Sequence, residues 1–163
     1  MSDKVQIPLM EAAALLTRGY SLAELKGIDR KHMDALYALA YQHYNADNYQ
    51  DASNIFKVLC LCDPANEDYA FGLASCEQGL RHYDQAAELY ALACTISGLT
   101  DPKPMYFAAV CLLKQGKRDG ALAALESIEV MGREGETEDV LYKTKASELL
   151  KVLKQAKEVP DGR

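Results

Sequence analysis

Three pairs of residues, Tyr49 and Tyr83, Ala52 and Ala86, and Phe56 and Tyr90, are each separated by 34 positions. A chain that repeats at this distance folds as a row of like units, because no single unit of that length buries enough apolar surface to stand alone. The repeat extends backwards as Leu36-x-x-Leu39-Ala40-x-x-His43 before Ala52-x-x-x-Phe56, with Pro64 closing the unit. The second copy reads Ala70-x-x-Leu73-Ala74-x-x-Glu77 and then Ala86-x-x-x-Tyr90. A third follows at a shift of 35, as Met105-x-x-Ala108-Ala109-x-x-Leu112, Gln115-Gly116 and Ala121-x-x-x-Leu125, the extra residue falling in the Thr100 to Pro104 connection.

A period of 34 with this pattern is that of the tetratricopeptide repeat, a pair of antiparallel helices. The small residues carry the physical reason. Ala40, Ala74 and Ala109 give each first helix little side-chain volume, so the second helix, bearing Ala52, Ala86 or Ala121, can approach closely. Phe56, Tyr90 and Leu125 then fill the space towards the next pair. Turn signals agree: Ala46-Asp-Asn48, Gly79 and Gly116 to Asp119 lie within pairs, whereas Asp63-Pro64-Ala-Asn66, Ser97-Gly98 and Pro102/Pro104 lie between them. The reading predicts helices over 30–46, 49–62, 66–80, 83–97, 103–115 and 118–131.

Further helix is predicted at both ends. Pro8 to Leu16 is apolar and helix-prone, and Ser21-Leu-Ala-Glu24 has the form of a capping box. Glu136 to Lys157 carries Val140, Leu141, Ala146, Leu149, Leu150 and Leu153 at helical spacing, which suits a helix capping the stack. The fold expected is all-α: three tandem pairs, about 30–65, 66–101 and 102–134, in a right-handed superhelix, with an N-terminal helical segment over 1–29, a C-terminal cap to 157 and a flexible tail over 158–163.

In such a superhelix the first helices line the concave face, and a ligand belongs there. On the first of them Tyr37, Tyr41 and Tyr44 recur at intervals of four and three, on one face. The equivalent positions are Phe71, Ser75 and Gln78 in the second, with Asp68 one turn earlier, and Tyr106, Val110 and Leu113 in the third. Rings with hydroxyl tips suit an extended peptide, offering contact area and a hydrogen bond to its backbone. A tyrosine stripe also serves as core; against that, Leu36, Leu39 and Ala40 are expected to fill the opposite, packed face. Only Asn45 and Lys114 approach the donors that a clamp for a terminal carboxylate needs, so recognition of a chain end is not expected.

Charge and cysteine usage narrow the partner. A net charge of −6 and a pI near 5.1 argue against nucleic acid, and no apolar run has the length of a membrane span or signal peptide, which places the chain in the cytoplasm with a protein partner. Cys60, Cys62, Cys76, Cys94 and Cys111 are an odd number in apolar helical stretches and read as reduced packing residues; Cys60-Leu-Cys62 lacks metal-site spacing. His32, His43 and His82 sit in repeat-helix contexts, with no Gly-rich phosphate loop and no nucleophile–base arrangement. No metal, cofactor or catalytic role is expected; a generic repeat adaptor joining two folded proteins is the rival to a groove that holds a peptide.

Several segments go beyond a general repeat: Leu36-Tyr-Ala-Leu-Ala-Tyr41-Gln-His-Tyr44, Leu59-Cys60-x-x-Asp63, Gly72-Leu-Ala-Ser-Cys76 and Ala108-Ala-Val-Cys111-Leu-Leu. Through them, from about Leu15 to Leu153, the chain closely resembles the class II chaperones of bacterial type III secretion systems, which bind hydrophobic translocator proteins before export. The resemblance implies a cytoplasmic holdase that keeps one or two translocators soluble, with an extended segment in the concave groove against Tyr37, Tyr41, Tyr44 and Tyr49. It also implies a homodimer through the N-terminal helix, here Leu9, Leu15, Leu16, Tyr20, Leu22 and Leu25. Free of cargo, such a chaperone could take a regulatory protein as a further partner.

Overall fold

The computed structural model describes the backbone of Arg18 and of residues 21–158, with the side chains of all but Leu25, Lys157 and Glu158 among these. The helix predicted over Pro8 to Leu16 lies outside the described residues. Among the described residues there are eight α-helices, in order α1 (Leu22–Leu25), α2 (Arg30–Asn45), α3 (Tyr49–Cys62), α4 (Glu67–Gly79), α5 (Tyr83–Ile96), α6 (Pro102–Lys114), α7 (Arg118–Ser127) and α8 (Thr137–Glu158), with a 3₁₀ turn at Ile128–Val130. Among the described residues there is no strand. From α2 onwards each helix packs on its neighbour in sequence, so the pairs α2/α3, α4/α5 and α6/α7 stack in a row that α8 closes, while the short α1 rests on α3.

Local chemistry sets the helix starts. Ser21 and Glu24 form the capping box foreseen, each side chain bonding the other's backbone N–H, and Asp29, Asn66 and Asp101 accept backbone N–H groups at the N-termini of α2, α4 and α6. Pro102, at the first position of α6, costs no hydrogen bond there. The turns inside the pairs are copies of one another. Asp47, Arg81 and Gly116 have φ of 59°, 64° and 73°, and the following N–H returns to the helix: Asn48 to the His43 carbonyl, His82 to Glu77 and Lys117 to Leu112, each at 2.9 Å. This doubled closure satisfies carbonyls that a helix end would otherwise leave bare.

The core runs along the stack. Ala40, Ala74, Ala109, Ala52, Ala86 and Ala121 are wholly buried, and Phe56, Tyr90 and Leu125 are sealed between successive pairs. Gly72 belongs to the same device: a Cβ there would overlap the Phe56 ring. Four of the five free cysteines are buried and Cys60 is half-buried. Burial pushes the Cys60 and Cys111 thiols up to about 11 and, with Glu77 beside it, that of Cys76 to about 12, so these act as small apolar groups.

Three expectations need correction. Leu39 does not fill the packed face of α2 but is 42% exposed, Met33 and Ala40 being its buried residues. The second helix of the third pair ends at Ser127, where the 3₁₀ turn buries Ile128 and swings the chain out to α8. On α8, Val140 and Leu141 are 60% and 47% exposed and Tyr142 is buried instead; Ala146 is buried as expected, with Leu149, Leu150 and Leu153 packed partly against the core. Asp139 fixes this rotation, buried and accepting from the Arg133 backbone N–H (2.7 Å) and from its guanidinium Nε and Nη2 (3.0 Å each).

Candidate aromatic groove

Half-buried tyrosines at the edge of the first core cluster form a continuous run of rings. Tyr37 and Tyr41 meet edge to face with centroids 4.8 Å apart, Tyr41 and Tyr44 at 6.3 Å, and Tyr44 and Tyr49 at 5.4 Å. Spacing of four and three along α2 places the first three on one face, and Tyr49 joins them because the turn at Asp47 reverses the chain; the Tyr49 hydroxyl donates to Asp47 at 2.6 Å. Gly79 makes room for it. The sequence marked Gly79 as a turn residue, but it ends α4 in ordinary helical conformation, and a Cβ would lie 2.7 Å from the Tyr49 ring.

A second aromatic group, Phe71, Tyr90 and Phe107, comes from α4, α5 and α6. Phe71 and Tyr90 lie 5.2 Å apart, Tyr90 and Phe107 stack at 5.5 Å, and Phe71 and Phe107 meet at 5.8 Å. Between the two groups opens a cleft of about 390 Å³, walled by Tyr44, Tyr49, Phe71, Ser75, Gln78, Gly79, Tyr83, Tyr90, Lys103, Phe107 and Lys114. A smaller pocket of about 100 Å³ lies against Tyr41, Tyr44, Phe56, Phe71, Gly72 and Ser75. Three residues thus line both, so the two spaces share a wall.

The floor is polar in one place. The Tyr90 hydroxyl donates to Gln78 Oε1 at 2.8 Å and lies 3.1 Å from Ser75 Oγ, which bonds the Phe71 carbonyl at 3.0 Å. Burial holds the Tyr37, Tyr44 and Tyr90 phenols well above their ordinary value, so all remain protonated donors near neutral pH. At the far end Lys103 Nζ sits 2.9 Å from Glu138 and over the Phe71 ring, 5.1 Å from its centroid.

Of the residues singled out from sequence, Tyr41, Tyr44, Tyr49, Phe71, Ser75 and Gln78 are brought together here. Tyr37 is half-buried, packed on Phe56 and Tyr69 beside the pocket, and Asp68 is exposed and outside the lining. Tyr106, Val110 and Leu113 line neither space; Tyr106 turns towards α8, its ring 5.6 Å from Tyr142. Lys103, Phe107 and Lys114 supply the α6 wall instead. Lys114, which the sequence already set near the groove, is joined there by Lys103, which it did not. The spacing of Lys103, Phe107 and Lys114, four and seven residues apart on one helix, was the available signal; counting from the alanine seam alone missed Lys103 and Phe107, because α8 covers the neighbouring face of α6. Of the dimerisation candidates, Leu22 is half-buried, while Leu9, Leu15, Leu16, Tyr20 and the side chain of Leu25 lie outside the described residues.

The sequence matches the tetratricopeptide-repeat family over residues 33–66 and 68–97. It is 35% identical over 141 residues to the chaperone protein SicA of Salmonella typhimurium, covering 86% of this chain and 82% of that protein. The fold is similar to a chain of a type III secretion complex from Aeromonas hydrophila, with a TM-score of 0.82 and 28% identity over 91% of this chain and 97% of that one. It is similar also to the Yersinia enterocolitica type III secretion chaperone SycD, solved with a peptide of the translocator YopD, with a TM-score of 0.72 and 29% identity over 80% of this chain and 98% of that one.

Proposed function

Since the chain belongs to the family of type III secretion translocator chaperones, we propose that its aromatic groove holds an extended, apolar segment of a translocator in the bacterial cytoplasm until export. The observation that carries the reading is the cleft itself: rings from three successive helix pairs converge on one open space whose floor offers hydroxyl and amide groups. Apolar side chains entering it leave water, and each stabilises the complex by about 1.5–3 kcal/mol, enough for a few anchors to offset the ordering of an extended segment. The masked segment is then withheld from aggregation, and the acidic surface of the chaperone keeps the pair in solution.

The role needs binding and release, with no covalent step. A homodimer through the N-terminal segment belongs to the same proposal, with Leu22 at its edge. A generic adaptor would take its partner on the convex side and leave the cleft empty. Co-expression with a candidate translocator, followed by affinity capture, separates the two. Tyr44→Ala and Phe71→Ala, each first shown by circular dichroism to fold, are expected to lose most of the captured cargo; undiminished capture by both would remove the groove from the function.

A further inference from the structure

The cleft carries charge that the burial of apolar side chains does not use. In a chain of net charge −6 its lining contains two ammonium groups, Lys103 and Lys114, and no carboxylate. The two differ in what they are free to do. Lys103 is neutralised by Glu138 and held over Phe71. Lys114, exposed in the last turn of α6, has no ion-pair partner among the described residues. Gln78, in the last turn of α4 at the same end of the stack, lines the cleft too; its Oε1 is engaged by the Tyr90 hydroxyl, which leaves its Nε2 donor without a hydrogen-bond partner among the described residues.

A cation beside an amide donor, against aromatic rings, is complementary to an acceptor that bears negative charge next to an apolar group. We infer that the segment held in the groove carries an aspartate or glutamate, received by Lys114 beside Gln78, about three residues from the apolar side chain seated on Phe71 and Phe107. The spacing comes from the helix. Phe107 and Lys114 are separated by about 10 Å along α6 at 1.5 Å per residue, which an extended chain covers in about three residues. The acid is an internal side chain and not a chain end, because a terminal clamp needs converging donors, and Lys103 is held by Glu138 about 16 Å along the helix from Lys114. The inference rests on the groove being the cargo site.

Selection of phage-displayed random peptides of about twelve residues, long enough to cross the cleft when extended, tests it on the full-length protein. The displayed peptides are fused at their C-termini and offer only internal carboxylates. Winners are expected to pair an apolar anchor with Asp or Glu about three positions away. Lys114→Gln should erase that acidic preference and weaken binding of a winning peptide by about two- to fivefold, the scale of an exposed ion pair, and Lys114→Glu should select Lys or Arg at the same place. Apolar winners without an acidic residue would overturn the inference and leave the groove standing. Winners indifferent to Tyr44→Ala and Phe71→Ala, or no enrichment at all, would overturn both. Synthetic winners that bind with a free C-terminus and fail when amidated would overturn the internal placement.

Discussion

Gly72 and Gly120 are both glycines inside helices, yet their neighbours make opposite demands. At Gly72 an added methyl meets the Phe56 ring, which is fully buried and has nowhere to move; Gly72→Ala should cost about 1–3 kcal/mol, read as a lower urea midpoint. At Gly120 the nearest atom to a Cβ is Leu112 at 3.7 Å, an ordinary contact, so Gly120→Ala should stabilise by up to about 1 kcal/mol through helix propensity. Glu77 gives a pH-dependent counterpart. Burial alone would raise its carboxyl, but hydrogen bonds with Ser53 (2.7 Å) and His82 (2.8 Å), with Lys57 nearby, hold it below the usual carboxylate range. A carboxyl lowered in the folded state adds stability above its unfolded value, near 4.5, and that stability is lost as pH falls through the folded one. The wild-type urea midpoint should therefore drop more steeply below about pH 4.5 than that of Glu77→Gln; parallel curves would show that the network contributes nothing to acid stability.

Among the elements, the turns inside the three pairs place one position in left-handed backbone and fill it differently, with Asp47, Arg81 and Gly116. Only the glycine adopts that geometry without strain, so Gly116→Ala should cost about 1 kcal/mol and Arg81→Gly should raise the melting temperature modestly. Most of the helix limits were legible because they are set locally, by caps such as Ser21 and Asn66 and by small residues such as Ala40 and Ala74 whose only plausible use is close packing. The groove on α2 and α4 was legible for the same reason: Tyr41, Tyr44, Phe71 and Ser75 keep a fixed relation to the alanine seam. What failed lay at the C-terminal end. There the rotation of α8 depends on the Arg133–Asp139 latch, and the exposed face of α6 depends on where α8 comes to rest, which the repeat spacing does not encode.

As a whole molecule, the stack is held by contacts between neighbours, so its weakest place is wherever a neighbour is missing. Removing α8 by ending the chain after Glu136 would uncover Ile128, Ala109 and the ring of Tyr106. The truncated protein should lose its cooperative thermal transition and bind a dye that reports exposed apolar surface; a sharp transition at the full-length temperature would show that three pairs suffice without the cap. The rings of Phe71, Tyr90 and Phe107 join the second pair to the third and also wall the cleft. Under the proposed function the chaperone and its guest share one set of anchors, and a guest that tightens those rings raises the melting point of its host with the logarithm of its affinity. Heating the host with unlabelled candidates would rank them, with no knowledge of which segment each one offers.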